Sequence, residues 1–271
     1  MTYSGQTAWI TGASSGIGEA LASGLAARGA RVVLSGRNLA ELERVAGACG
    51  GEALVLPFET TDYAALPALV TQAWDWHGGI DLLINNAGIS QRSLAEDTEF
   101  TVYERIVAVD LLAPIALTQA LLPQMVERKS GRLAFISSIA GKVGVPMRSA
   151  YSAAKFGLLG YADALRAELS VHGISVHGIA PGSIRTNVSR NALTSDGTAR
   201  GFSDEAIEKG IDPDVAAAEM LDAMTAGQRE IIIAQGAEKE MGELTRTPDA
   251  LFDQVAALMA RGYAAELKAK I

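Results

Sequence analysis

The sequence predicts an α/β fold, a doubly wound parallel sheet with helices on both faces, and three observations carry that prediction. Short β-branched runs alternate with longer helical patterns along most of the 271 residues. Seven such runs can be read. The first passes straight into a glycine-rich turn that opens a helix. Alternation of this kind builds right-handed βαβ units, and these stack into a parallel sheet.

The expected strands are TAWIT (7–11), RVVLS (31–35), ALVLP (53–57), DLLIN (81–85), RLAFIS (132–137), SVHGIA (175–180) and EIIIA (230–234). Between them, EALASGLAARG (19–29) and LAELERVAGACG (39–50) space apolar residues by three and four and end near glycine, as helices do. Longer helices are expected at about 99–125 and 149–171. Residues 187–211 are polar and rich in Gly and Ser, and a long loop after the sixth strand reads as a lid over a site. Order resumes where Asp212 caps a helix that has Pro213 at its first position. The tail, 236–271, reads as one or two further helices. No repeat or linker divides the chain, so one domain over 1–271 is expected.

Hydrophobic residues make up 49% of the chain and charged ones 20%, which describes a globular protein. A net charge of −8 argues against wrapping nucleic acid. Cys49 is the only cysteine, so no intrachain disulfide can form and a reducing compartment, the cytoplasm, is expected. No uninterrupted apolar stretch of spanning length and no signal core is read from the sequence, so no membrane span is expected.

Gly12, Gly16 and Gly18 in TGASSGIGEA (11–20) follow a strand and open a helix. That arrangement lets backbone amides approach a pyrophosphate at the positive end of the helix, the signature of a dinucleotide site. Sites selective for NAD place a carboxylate at the end of the second strand. Here VVLSGRN has Gly36 and Arg37 instead, and an arginine suits a 2′-phosphate. NADP(H) is therefore expected over NAD(H). In SAYSAAKFG (149–157), Tyr151 and Lys155 stand four apart, on one helix face. A phenol beside an ammonium makes a proton donor usable near neutral pH.

In these motifs and their order, TGASSGIG (11–18), NNAG (85–88), ISS (136–138), YSAAK (151–155) and PG (181–182), the chain resembles the short-chain dehydrogenase/reductase family over about residues 5–235. The strings GISQRSL (88–94), VERKSGRL (126–133) and GKVGVP (141–146) are similar to its retinal and steroid-type carbonyl reductases. The resemblance implies a seven-stranded Rossmann fold and hydride transfer between a nicotinamide and a ketone, aldehyde or secondary alcohol. It implies Tyr151 as general acid/base, Lys155 on the nicotinamide ribose and Ser138 orienting the substrate oxygen, with Ser137 structural. It assigns the cofactor to Gly12, Ser14, Ser15, Gly16, Ile17 and Gly18, then to Asn86, Ala87 and Gly88, and finally to Pro181, Gly182, Ile184 and Thr186, beside Tyr151 and Lys155. A homodimer or homotetramer built on the two long helices is implied as well.

Two positions depart from the family pattern. Asp110 stands where asparagine usually helps hold a water linking the lysine to solvent. An ionised aspartate accepts hydrogen bonds but cannot donate them. Near Lys155 it would stabilise the ammonium and blunt its effect on Tyr151, giving a retuned enzyme. Glu59 stands where an aspartate usually meets the adenine. His77, His172 and His177 read as caps or surface residues, and no spacing suggests a metal site. Val145, Pro146 and Met147, with the lid, would shape an apolar pocket. The helical tail argues against a β-ketoacyl carrier reductase. A dinucleotide sensor without turnover is the alternative from another class, and an epimerase or dehydratase using the same pair is a third.

Overall fold

The computed structural model describes residues 3–244, together with 253, 256, 257, 260 and 261. Its strands are β1 (Thr7–Thr11), β2 (Arg31–Ser35), β3 (Ala53–Val55), β4 (Leu82–Asn85), β5 (Gly131–Ile136), β6 (Ile174–Pro181) and β7 (Glu230–Ile233). All pair in parallel, in the order β3-β2-β1-β4-β5-β6-β7. The strand order reverses between β1 and β4, and in open α/β sheets ligands bind outside the carboxyl ends of the strands at that point. The third strand ends at Val55, two residues short of its apolar run, although Leu56 N and Phe58 N still donate to Leu34 O and Gly36 O at 2.9 and 3.0 Å.

Alternation along each strand divides the core into two layers. Ala8 and Ile10 of β1 face helices α1 (Gly16–Ala27) and α8 (Pro213–Thr225). Trp9 faces the opposite layer, with α3 (Leu66–His77), α5 (Ala113–Arg128) and α6 (Ser149–Leu169). Helix α2 (Leu39–Ala48) completes the first layer through Leu42 and Val45. Both faces of the sheet are covered, which is why its strands read as nearly unbroken apolar runs. His177 belongs to this buried sheet: it is 2% exposed and its Nδ1 lies 2.6 Å from the carbonyl of Gln228. The expectation of a cap or surface histidine fails there, because β6 is covered on both faces.

The helix expected at 99–125 runs from Phe100 to Arg128, as α4 (Phe100–Val107), a π turn (Ala108–Leu112) and α5. Pro114 explains the turn: it has no N–H for the carbonyl of Asp110, four residues earlier. By length and composition this helix could cross a membrane, a property that core helices of soluble proteins share, and this qualifies the expectation drawn from uninterrupted runs.

Residues 187–211 are tied to the body more firmly than their polarity suggests. The amide of Leu193 donates to Ser90 O at 2.7 Å, and Arg92 N donates to Leu193 O at 2.8 Å. Ser189, Ala192, Leu193 and Ile207 are buried, the last on the short helix α7 (Glu205–Glu208). Asp212 caps α8 as its sequence predicts, accepting from Asp214 N at 2.9 Å. Of the tail, helix α9 (Gly236–Glu243) is described. The expected helix LFDQVAALMARGYAAELKA lies mostly outside the described residues.

Candidate active site

The glycine turn after β1 is shaped by what its residues lack. A Cβ on Gly18 would lie 2.2 Å from the carbonyl oxygen of Gly12, and one on Gly12 would lie 2.9 Å from Cα of Ala87. Gly12 and Gly16 also hold φ of +65° and +58°, the left-handed region that favours glycine. The turn therefore presses directly on the strand end carrying Asn86 and Ala87. Thr11 fastens the two: its Oγ1 accepts from Asn86 N at 3.0 Å and from Ala87 N at 3.1 Å. Asn86 Nδ2 returns to the carbonyl of Thr11 at 2.9 Å.

Beside this turn lies a cleft of roughly 690 Å³, lined by Ser14, Ser15, Gly16, Thr186, Asn187, Arg190 and Phe202 among others. The amides of Ile17 and Gly18, in the first turn of α1, have no intrahelical partner to serve, and they sit where the dipole favours an anion. The carbon a side chain would add at Gly36 lies 3.6 Å from Ser14 Oγ, so the end of β2 stands next to this turn. Arg37 is exposed and pairs with Glu59 at 3.6 Å. The two residues expected at the adenosine end thus face each other. Ile184 packs its side chain into the core, which leaves its backbone as the part a cofactor could meet.

At the other end of the switch point the groups are charged and dry. Asp110, in the π turn, is 0% exposed, and its Oδ2 lies 3.1 Å from Lys155 Nζ. Its Oδ1 accepts from Ile89 N at 2.9 Å, while Oδ2 has no donor aligned on it, so the ion pair is that oxygen's compensation. Gly88 leaves room for the pair: a Cβ there would lie 3.0 Å from Asp110 Oδ2 and 3.3 Å from Lys155 Nζ. Burial pushes Asp110 above the usual carboxylate range, against the pull of Lys155 and of the Ile89 amide. Burial also pulls Lys155 down, yet the charges of Asp110 and Tyr151 outweigh it and hold the ammonium above the usual lysine value. Lys155 Nζ donates to Ile136 O at 3.0 Å and stands 5.5 Å from the centre of the Tyr151 ring.

Ser138, two residues past β5, is in extended backbone and starts a short turn, with Oγ accepting from Ala140 N at 3.1 Å. That bond occupies a lone pair and leaves the hydroxyl hydrogen to donate elsewhere. Ser137 turns the other way and donates to Lys155 O at 2.9 Å, which anchors α6 to the strand. Gln91 holds the start of α6: it is buried, and its Oε1 accepts from Ala150 N at 2.9 Å, one residue before Tyr151. Beyond β6, Glu238 of α9 accepts from Ser183 N at 2.7 Å and from Ser183 Oγ at 2.9 Å. The last described helix thereby touches the Pro181–Thr186 segment.

The short chain dehydrogenase family model matches residues 6–197. The chain belongs to the short-chain dehydrogenase/reductase family. It is 40% identical over 237 residues to a dehydrogenase/reductase SDR family protein 7-like of Drosophila melanogaster, covering 85% of this chain and 73% of that one. Among solved structures, a metagenomic short-chain oxidoreductase in complex with NADP is 33% identical, with a TM-score of 0.70 over 85% of this chain and 97% of that one. Levodione reductase is 27% identical, with a TM-score of 0.78 over 87% and 98%. The chain is therefore an oxidoreductase of a fold that binds nicotinamide dinucleotides.

The structure brings the expected residues into two groups, the glycine turn with Asn86, Ala87 and Thr186, and Asp110 with Lys155, Tyr151 and Gly88. Thr11, Gln91 and Glu238 were not singled out from the sequence. Thr11 lies inside the glycine string and Gln91 inside GISQRSL, but Glu238 lies 55 residues from its partner and no local pattern marks it.

Proposed function

We propose that this short-chain dehydrogenase/reductase uses NADP(H) to interconvert a ketone or aldehyde and its alcohol, with Tyr151 as the general acid/base. The observation that carries the reading is the Lys155 ammonium standing 5.5 Å from the Tyr151 ring and paired with the buried carboxylate of Asp110. The glycine cradle and the cleft beside it fit a dinucleotide, which when bound supplies or accepts the hydride. Gly12, Ser14, Ser15, Gly16, Ile17 and Gly18 would hold its pyrophosphate end, Asn86, Ala87 and Gly88 its middle, and Pro181, Gly182, Ile184 and Thr186 its nicotinamide end. Arg37, exposed and one residue past the Gly36 that stands next to Ser14, is free to leave Glu59 for a 2′-phosphate. Ser138 donates its hydroxyl hydrogen to the substrate oxygen, Tyr151 delivers the proton, and Lys155 stabilises the phenolate left behind. Residues 187–211 act as a lid, and exposed Leu94, Val143, Met147 and Phe202 offer an apolar surface to the substrate's body. The exposed apolar Phe100 and Leu112 suit a face shared between copies in a homodimer or homotetramer.

Cofactor oxidation by the purified protein, with NADPH and separately NADH, across a panel of ketones and aldehydes tests this reading. Turnover with NADPH that vanishes in Tyr151→Phe is expected, and Arg37→Met should narrow the preference for NADPH about tenfold or more. A specific observation favours the sensor reading: Asp110 engages the lysine that the chemistry needs. Tight NADPH binding with no turnover anywhere on the panel would select it.

A further inference from the structure

Arg148 has no part in the chemistry above, yet it stands at the start of the helix that carries Tyr151 and Lys155. It occupies the N-cap position of α6, one turn before Tyr151, so the two project from one side of the helix. The backbone aims it: Met147 is held at φ +62°, a conformation that a side chain of its size adopts only under constraint from its surroundings. One such constraint is Ser93 N, which donates to Met147 O at 3.1 Å.

The carboxylate nearest Arg148 is already taken. Arg148 Nη2 lies 3.5 Å from Asp204 Oδ2, but that oxygen accepts from Arg92 Nε at 2.8 Å and Arg92 Nη2 at 2.6 Å. The other oxygen of Asp204 accepts from Arg200. Three guanidinium groups therefore face one carboxylate, and Arg148 holds the longest of the contacts. Its side chain is 26% exposed, and among the described residues it makes no side-chain hydrogen bond. Burial and the charge of Arg92 push its guanidinium down, while Tyr151, Asp204 and Glu238 pull it up. Asp204 belongs to the 187–211 segment and Tyr151 follows one turn on, so Arg148 stands where that segment meets the start of α6. Glu238, whose oxygens accept from Ser183, forms no hydrogen bond or ion pair with Arg148 among the described residues. A guanidinium offers five N–H donors in a fork that matches an oxyanion, and leaving them half-buried without acceptors is costly.

We infer that Arg148 recognises an anionic group on the substrate, so that the preferred substrate is a carbonyl compound, or its alcohol, that carries a carboxylate. The inference rests on the oxidoreductase reading, which makes the surroundings of Tyr151 the substrate site. The carboxylate meets the guanidinium fork, the reacting carbon lies toward Tyr151, and the apolar body contacts Met147 and Phe202. Arg92 and Arg200 stay with Asp204 and hold the frame in which Arg148 is presented.

A matched pair of ketones tests this: 4-acetylbenzoate and its methyl ester, which share the reacting carbonyl and differ in charge. The wild-type kcat/KM should favour the acid about tenfold or more, as a charge-assisted contact of this kind provides. In Arg148→Met the ratio should fall to near one, and Arg148→Lys should restore part of it. If Arg148 only latches the 187–211 segment, acid and ester will decline together and the ratio will stay, which overturns the inference. A wild-type ratio of one or less overturns it as well. Calorimetric titration of 4-acetylbenzoate into the protein with NADP⁺ bound separates the two readings. Binding that Arg148→Met abolishes, without turnover of either ketone, sinks the oxidoreductase reading and leaves the anion site standing. No binding of the acid by the wild type sinks the anion site.

Discussion

At the glycine turn, Gly12 and Gly18 work by the atoms they lack; at the β5–α6 end, Asp110 and Lys155 work by the charges they carry. The first region is a steric device: 2.2 Å separates a Gly18 Cβ from the Gly12 carbonyl, so any added carbon must displace backbone. The second is an electrostatic device, in which shape is less restrictive and the sign of each charge decides the outcome. The contrast teaches that one site can fail in two separable ways. It can lose its cofactor through crowding, or keep the cofactor and lose its proton chemistry.

The largest effect expected falls on the electrostatic side. Tyr151→Phe should lower kcat by about 10²–10⁴-fold, the range for removing a positioned acid/base, while NADPH binding followed by fluorescence stays near wild type. Loss of binding along with turnover would break the separation of the two regions. Gly18→Ala should do the reverse, weakening NADPH binding about tenfold or more and costing about 1–3 kcal/mol in a denaturant titration. A normal affinity would show that the backbone yields where the geometry says it cannot.

Asp110→Asn sharpens the comparison, since it keeps the shape and removes the charge. Lys155 is held above its ordinary value by that carboxylate, so its stabilised ammonium persists until the pH rises through the elevated value. Without Asp110 the proton leaves earlier, and the alkaline limb of the pH–rate profile should move to lower pH. An unmoved limb would remove the tuning role. The smallest effect is expected from Asp204→Asn. Burial pushes Asp204 up, but hydrogen bonds from Arg200 and Arg92 outweigh it and hold its carboxyl far below the usual range. A depressed value means that stability is present above the unfolded carboxylate pKa and is lost as pH falls toward the folded one. The variant's Tm should therefore lie roughly 2–4 °C below wild type from pH 8 to 5, and the gap should close below about pH 4.

The two regions also differ in how far they can be read without coordinates. The sheet was legible because its inner strands are buried on both faces and each strand reads as a short apolar run ahead of a turn. Six of the seven lie within a residue or so of their expected bounds, and β3 alone ends clearly short. The glycine turn was legible because its chemistry lies in consecutive residues. The contact of Asp110 with Lys155 was anticipated only through a resemblance, since 45 positions separate them and a proline-induced π turn decides where Asp110 lies. Gln91 on Ala150 and Glu238 on Ser183 had no such help, for each bridges elements that only the folded sheet brings together. His177 was misread because SVHGIA alone does not say that both faces of that strand are covered.

Glu238 has a consequence for how the protein is made. The segment after β6 is held by a carboxylate that is synthesised 55 residues after it. On a ribosome, the sheet through β6 and the whole catalytic helix can emerge and pack while Ser183 still has water as its partner. The Pro181–Thr186 segment is thus the last part of the candidate site to set, and a nascent chain halted before residue 238 would carry the family's motifs without this contact. A cut or fusion close behind α9 bears on that segment through Glu238, however remote it looks along the sequence.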